Sequence, residues 1–156
     1  MLHTFWIFAA GVLLFACNGG GDTDPQGEKT KEQLATEALT GGSHIVWTVA
    51  NGGSVSKDGQ SLTADYQNFE LSFVTNANNR TYSSSANPLF DRLGDWSFAG
   101  ENFDKIQLSG SSPAAGREIS FSREGDRLRL QFAVPMPVNA RVNALAGSYI
   151  FELIKK

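Results

Sequence analysis

The chain has 156 residues, 41% of them hydrophobic, and a formal net charge of -3 at pH 7. This length supplies the core of one globular domain and is too short for two. The weak acidic balance lacks the basic surplus typical of nucleic-acid-binding proteins, so we expect no nucleic-acid partner. With 16 glycines, 11 phenylalanines and two methionines, the composition favours β-structure with many turns.

An apolar segment lies near the start of the chain. Residues 5–16 read FWIFAAGVLLFA and carry no charged or polar side chain. A helix needs about 20 such residues to cross the hydrocarbon core of a bilayer, so this segment is too short to span a membrane. Its length is typical of the apolar region of a secretory signal, and we predict that residues 1–16 are a signal peptide.

The single cysteine, Cys17, follows this segment directly. The sequence Leu14-Phe15-Ala16-Cys17 resembles the bacterial lipobox, in which the cysteine is lipidated and the preceding peptide is removed. With no second cysteine, an intramolecular disulfide or a cysteine cluster for zinc is excluded. We therefore expect a lipoprotein of the cell envelope, held in the outer membrane by acyl chains on Cys17, on either the periplasmic or the surface face.

Two short segments separate this anchor from the remaining chain. After the cysteine, residues 17–27 are rich in glycine and acidic residues, which predicts a flexible tether. Residues 28–40 are rich in helix formers and end before Gly41-Gly42, which predicts a short helix. Its apolar stripe, expected to lie on the domain, consists of Leu34, Ala38 and Leu39.

Beyond residue 43 the hydrophobic period changes to two, which is typical of β-strands. Alternating segments are found at 44–49, 69–73, 96–98, 106–108, 119–121, 128–134 and 149–154. Turn signals separate them at 51–53, 57–59, 76–79, 94–95, 100–102 and 124–126. Because an open sheet of this size would expose its edges, we predict an all-β fold: a small antiparallel up-and-down barrel with a short N-terminal helix. A β-sandwich is the alternative.

Several of these segments together resemble a known group of proteins. They are the short helix, the first strand with Trp47, and the sequences FELSFV (69–74), DWSFAG (95–100), RLRLQFAV (127–134) and AGSYIFELIK (146–155). This combination resembles the lipocalin-like lipoproteins common in Bacteroidota. The resemblance covers residues 28–156 and implies a lipid-anchored up-and-down barrel in the cell envelope. It implies no catalytic residues, and many members lack an assigned activity.

Aromatic residues on the predicted strands form the largest set of candidate site residues. In an eight-stranded barrel they either fill the interior or line an apolar cavity for one small ligand. A ligand-binding interior would require a cavity of about 300 Å³ or more. The candidates are Trp47, Phe69, Phe73, Trp96, Phe98, Phe121, Phe132, Tyr149 and Phe151.

Metal and hydrolase chemistry find little support in the sequence. His44 is the one histidine after Cys17, and the acidic residues at 91, 95, 101 and 104 are scattered rather than clustered as in a calcium-binding loop. A Ser-His-acid hydrolase would have to use His44, and no Gly-x-Ser-x-Gly motif is present. We therefore expect no metal, no cofactor and no enzymatic activity.

The polar residues allow two further interpretations. Arg129 is predicted to meet Glu118 across the hairpin that turns at 124–126, while Glu70 and Glu152 fall on the polar faces of their strands. Val138, Val142 and Leu145 repeat at helical spacing. That spacing predicts either a lid over one barrel end or a packed connection.

Two functional hypotheses follow. The first is a lipid-anchored envelope lipoprotein that binds a small apolar or amphipathic ligand within a β-barrel. The alternative is a non-enzymatic interaction or structural lipoprotein, an inhibitor or an accessory subunit, that acts on an unidentified protein partner through its outer surface.

Overall fold

The computed structural model describes residues 28–77, 79–138 and 144–156. One α-helix, α1 (Lys31–Thr40), precedes all the strands, and a 3-10 helix (Thr63–Tyr66) lies between the third and fourth strands. The strands are β1 His44–Thr48, β2 Ser54–Lys57, β3 Gln60–Ser61, β4 Glu70–Asn76, β5 Asn79–Ser84, β6 Leu93–Phe98, β7 Lys105–Leu108, β8 Ile119–Glu124, β9 Arg127–Val134 and β10 Gly147–Lys155.

Eight of these strands close into an antiparallel barrel in the order β1-β4-β5-β6-β7-β8-β9-β10. Closure occurs where β10 returns to β1, with Trp47 opposite Lys155 and Thr48 opposite Ile154. β2 continues along the same edge of β10 and pairs with β3, so that this hairpin extends the wall at one end. The predicted up-and-down barrel with a short helix is confirmed, and the sandwich alternative is wrong.

The sequence around α1 explains where the helix begins and ends. Thr30 and Gln33 form a reciprocal capping box at its start. Gly41 ends it with φ 64°, a left-handed conformation that glycine adopts without strain, and donates its N–H to the Glu37 carbonyl at 2.7 Å. The predicted apolar stripe is wrong at Leu34, which is 54% exposed, because only the last turn of α1 reaches the core.

The helix closes one end of the barrel through contacts from three side chains. Trp47 donates its indole N–H to the Leu39 carbonyl at 2.9 Å. Arg123, at the end of β8, donates to two carbonyls of the last helical turn at 3.2 and 3.3 Å. Arg80, at the start of β5, pairs with Glu32 at 2.5 Å. α1 therefore covers the end of the barrel at which β5 begins and β8 ends.

Aromatic rings fill the barrel interior. Along β9 the residues alternate strictly between exposed and buried, as expected for a strand with one face toward solvent and one face toward the core. The Phe151 ring lies 5.2 Å from Phe69, 5.5 Å from Phe90, 6.0 Å from Phe132 and 5.3 Å from Tyr66, measured between ring centroids. Phe132 lies on β9 and Phe151 on β10, whereas Tyr66 and Phe69 precede β4 and Phe90 follows β5. The five rings therefore pack against one another across the barrel.

The turn predicted at residues 94–95 is wrong, because Gly94 lies inside β6. A Cβ at this position would come within 2.6 Å of the Tyr82 ring and 2.8 Å of the Ser109 hydroxyl. The absence of a side chain makes room for Tyr82, whose hydroxyl donates to the Ser109 carbonyl at 2.8 Å. Gly94 thus allows a close approach inside a strand rather than a change of chain direction.

Candidate functional site

A cleft of about 720 Å³ opens at the barrel end opposite α1. Its wall is formed by Leu62 and residues 64–69, 85–88 and 144–145, together with Lys57 and Tyr149. Lys57 and Tyr149 face each other where β10 begins, whereas β10 ends beside Trp47 under the helix. The volume lies within the range of about 300–1,000 Å³ that is typical of small-molecule sites.

One wall of the cleft is a loop that the Asn87 side chain organises. The amide group donates to the Ser85 carbonyl at 2.7 Å, and its oxygen accepts the N–H groups of Leu89 at 2.8 Å and Phe90 at 2.7 Å. These bonds turn the chain so that Leu89 and Phe90 point into the core, where they are 0% and 2% exposed. Asn87 therefore holds the wall in place and supplies Phe90 to the barrel interior.

The floor of the cleft is aromatic and continuous with the core. Phe69 and Tyr149 line it and are almost fully buried, at 2% and 1% exposed. Tyr66 packs edge-to-face on Phe69, with centroids 5.8 Å apart, and on Phe151, with centroids 5.3 Å apart. Such edge-to-face pairs are favourable arrangements of aromatic rings. These rings therefore close the bottom of the cleft while exposing little of their own surface to it.

Polar side chains contribute much of the cleft wall, among them Asp65, Gln67, Asn68 and Asn87. The Lys57 ammonium donates to the Ala144 carbonyl at 2.5 Å and lies 6.0 Å from the centroid of the Tyr149 ring. Burial, with smaller contributions from Tyr149 and Asp65, raises the pKa of Tyr66 to about 12. Burial also raises the pKa of Tyr149, and its hydroxyl donates to the Leu145 carbonyl at 2.9 Å. Both phenols thus remain neutral at physiological pH.

The nine aromatic residues singled out by the sequence divide among three regions of the barrel. Two of them, Phe69 and Tyr149, line the cleft. Three more lie in the barrel interior: Phe73, Phe132 and Phe151. The remaining four lie toward α1: Trp47, Trp96, Phe98 and Phe121. The structure therefore does not bring the nine side chains together at one binding surface.

At the helix-covered end, arginine side chains lie against the aromatic rings. The Arg80 guanidinium is 5.1 Å from the centroid of Trp96 and 4.9 Å from that of Phe98. The Arg123 guanidinium lies 5.3 Å from the Trp47 ring. Since both arginines also contact α1, these cation–π contacts help to attach the helix to the barrel.

The outer surface holds the remaining polar candidates. His44 Nε2 lies 2.8 Å from Ser72 Oγ across β1 and β4. Within the described ranges no carboxylate is hydrogen-bonded to His44, so a serine–histidine–acid arrangement is not formed there. The described residues likewise contain no group of three histidine, cysteine or acidic side chains placed to hold a metal ion.

The predicted contact between Arg129 and Glu118 is wrong. Arg129 pairs with Glu152, which stands directly opposite it where β9 and β10 pair. Glu118 instead pairs with Lys105 at 2.7 Å. These are exposed pairs, each of which stabilises a protein by about 0–1 kcal/mol.

Sequence reasoning missed most of the residues that build the cleft. Lys57, Leu62, Tyr66 and Asn87 were not among the predicted site residues, although all four line it. The Asn87-Pro88 pair is a turn signal that was present in the sequence. Tyr66 and Phe69 stand three residues apart at the end of a 3-10 helix, a spacing that a search for alternation does not detect.

Part of the predicted organisation lies outside the described residues. This applies to the signal peptide at 1–16, the lipidated Cys17 with its tether at 17–27, and Val142 in the predicted lid. Val138 and Leu145, on either side of residues 139–143, are described; Val138 is fully exposed and Leu145 packs against the core. No helix within residues 28–77, 79–138 and 144–156 combines the length and hydropathy needed to span a membrane.

Comparisons of the chain with protein-family models, with curated proteins and with solved structures give no match.

Proposed function

We propose that this protein is a lipid-anchored lipoprotein of the cell envelope whose barrel binds a small amphipathic molecule in the cleft opposite α1. The observation that carries this proposal is the cleft itself, about 720 Å³, which has buried aromatic rings at its bottom and both apolar and polar side chains along its wall. Binding sites for small molecules are typically concave, mostly apolar and furnished with a few placed polar groups.

The packing of the interior determines where the ligand lies. Phe90 and Phe151, with centroids 5.5 Å apart, occupy the space directly beneath the cleft. A ligand therefore lies at the mouth, outside the layer of buried rings that includes Phe69 and Tyr149, and does not descend between the strands as it would in a hollow barrel. Because those rings are already packed, binding at the mouth requires little rearrangement of the protein.

Blocking the cleft is expected to abolish binding. Ala86 is exposed on the cleft wall, and the indole of an Ala86→Trp variant would occupy the space in front of the aromatic floor. We expect at least tenfold weaker binding of the neutral fluorescent probe N-phenyl-1-naphthylamine, measured by its emission increase, than in the parent protein. That loss corresponds to about 1.4 kcal/mol.

Ala133→Trp is the matched control, because Ala133 is exposed on the outward face of β9, away from the cleft. This variant should bind the probe as the parent does. Equal loss in both variants, or no loss in either, would contradict binding in the cleft.

The membrane anchor is testable without reference to the cleft. Cells that express the full chain and are fed radioactive palmitate should label the parent protein, whereas a Cys17→Ala variant should remain unlabelled and should be released from the membrane fraction. Two or three acyl chains hold a protein durably at a bilayer, since each buried methylene contributes about 0.8 kcal/mol. Undiminished labelling of the variant would rule out Cys17 as the attachment site.

The family assignment is part of the same proposal. An up-and-down barrel of eight antiparallel strands preceded by a short helix supports membership of the lipocalin-like lipoproteins. The apolar segment and the lipobox-like sequence before Cys17 support the same assignment.

A second candidate function rests on a feature of the outer wall. Leu93 is 76% exposed and shares a shallow outer groove with Val74. Exposed apolar groups that lie together mark interaction surfaces, so this groove favours an interaction or structural lipoprotein that contacts a protein partner through the wall at β4–β6.

A further inference from the structure

We propose that the outer wall at β5 and β6 binds a second copy of this chain, with Leu93 at the centre of a symmetric contact. This inference rests on the second candidate function proposed above, since it names the protein partner of that wall. Three observations carry it: the exposure of Leu93, the groove beside it, and the opposite charges that stand on either side of it in the chain.

Leu93 is exposed at a position where the sheet holds it rigidly. Its side chain is 76% exposed, and it is the first residue of β6. The other large hydrophobic side chains that are strongly exposed among the described residues lie outside the strands: Leu34 on α1, and Met136 and Val138 after β9. A second surface that covers Leu93 would remove apolar area from water, which favours association.

A groove of about 470 Å³ lies beside Leu93 on the same wall. Gly94 contributes no side chain to it, and Val74, Thr81 and Ser83 contribute small ones. Only one charge, that of Asp95, is found among the outward residues of β5 and β6, which are Asn79, Thr81, Ser83, Leu93, Asp95 and Ser97. The core of a protein interface is typically poor in charged residues. The wall thus carries both a protruding apolar side chain and a recess that can receive one.

Two opposite charges flank Leu93. Arg92 directly precedes it and Asp95 follows two residues later, and both residues are exposed. Within the described ranges neither side chain forms a salt bridge. One end of the surface around Leu93 is therefore positive and the other end is negative.

The charged neighbours of these two residues are already engaged within the same copy. The Asp91 carboxylate, next to Arg92 in the sequence, accepts the N–H groups of Ser111 and Ser112, both at 2.9 Å. Arg80, which lines an outer pocket together with Asp95, pairs with Glu32. Arg92 and Asp95 are therefore left to pair with charges of another molecule.

A two-fold arrangement satisfies all of these groups at once. β6 is hydrogen-bonded to β5 on one edge and to β7 on the other, so a second copy must pack face to face rather than add a strand. With the two β6 strands antiparallel about an axis between Leu93 and Gly94, Leu93 lies over Gly94 of the second copy. The same operation places Arg92 opposite Asp95 of the second copy. Every contact then occurs twice, as in a symmetric dimer.

Sedimentation equilibrium of the purified protein measures this association. We expect a dimer with a dissociation constant of about 10–100 µM, because the surface is smaller than that of a permanent dimer. Leu93→Asp should weaken the dimer at least tenfold, since it places a charge at the centre of the contact. Leu34→Asp is the matched control: Leu34 is 54% exposed on α1, and its replacement should leave the dimer unchanged.

A charge exchange tests the symmetry of the contact. Arg92→Glu and Asp95→Lys should each weaken the dimer about tenfold, because like charges would then face each other between the copies. The double variant that carries both substitutions should return to within about threefold of the parent, since opposite charges face each other again. Such recovery within a single chain requires that the two residues meet across two copies.

The outcomes separate this inference from the functions proposed above. A parent protein that stays monomeric throughout the concentration range overturns the second copy as partner and leaves the wall to a protein of different sequence. A dimer that survives Leu93→Asp, or a double variant that does not recover, overturns the proposed contact. Loss of probe binding in the cleft would instead contradict the ligand-binding function, because that measurement does not depend on association.

Discussion

A Phe151→Ala variant is expected to lose about 3–5 kcal/mol of unfolding free energy. The side chain is fully buried, and its ring contacts the rings of Tyr66, Phe69, Phe90 and Phe132. Truncation would leave a cavity in the middle of the barrel that these rings, packed against one another, could fill only in part. Since a domain of this size is typically stable by about 5–15 kcal/mol, the loss would be a large fraction of the total.

Urea denaturation followed by tryptophan fluorescence measures this loss. Phe151→Leu is the matched variant: it keeps a large apolar side chain and should cost about 1–2 kcal/mol. A loss below about 1 kcal/mol for Phe151→Ala would show that the ring does not lie in a packed interior.

The second large effect is expected at the junction of α1 with the barrel. A Trp47→Ala variant should also lose about 3–5 kcal/mol. The indole is fully buried, donates to the Leu39 carbonyl at 2.9 Å and lies beneath the Arg123 guanidinium. Its removal would take away packing, the hydrogen bond that the indole donates to α1, and a cation–π contact at the same time.

Trp47→Phe separates these contributions, since it keeps an aromatic ring and removes the indole N–H. We expect it to cost about 1–2 kcal/mol, because the Leu39 carbonyl would lose its donor in a buried place. Hydrogen exchange of the α1 amides should accelerate in Trp47→Ala more than exchange in β9. Equal acceleration in both elements would contradict a local role of Trp47 in holding the helix.

The barrel could be predicted where the sequence alternates clearly. In β9 and β10, Leu128, Leu130, Tyr149 and Phe151 alternate with outward residues over at least eight positions. A pattern of that length is compatible only with a strand that has one buried face. The number of such segments then required a closed sheet, because open edges are unfavourable.

Other strands left no such signal. β5 has the sequence NRTYSS, in which Tyr82 is the one deeply buried residue, so it does not alternate in the apolar sense. It is a strand because β4 and β6 pair with it on both edges. β2 and β3 are short and polar in the same way, and they form because a tight turn at Asp58 and Gly59 joins them beside β10.

The cleft could not be predicted from the sequence for a related reason. The aromatic residues were identified correctly as apolar, but alternation does not say which barrel end a residue occupies. Phe69 and Trp96 belong to the same predicted face, yet Phe69 lies at the open end and Trp96 lies under Arg80 near α1. The position along the barrel follows from strand register, and register depends on turns such as the one that Asn87 organises.

The most direct measurement for a ligand at the open end of the barrel is a titration of the ¹⁵N-labelled protein with N-phenyl-1-naphthylamine, followed by amide chemical shifts. We predict that the shifted amides cluster at residues 62–69 and 85–88 and at Tyr149, while α1 and the residues around Trp47 and Trp96 remain unchanged. Shifts concentrated at the α1 end, or spread evenly over the inward residues of all eight strands, would contradict binding in the cleft.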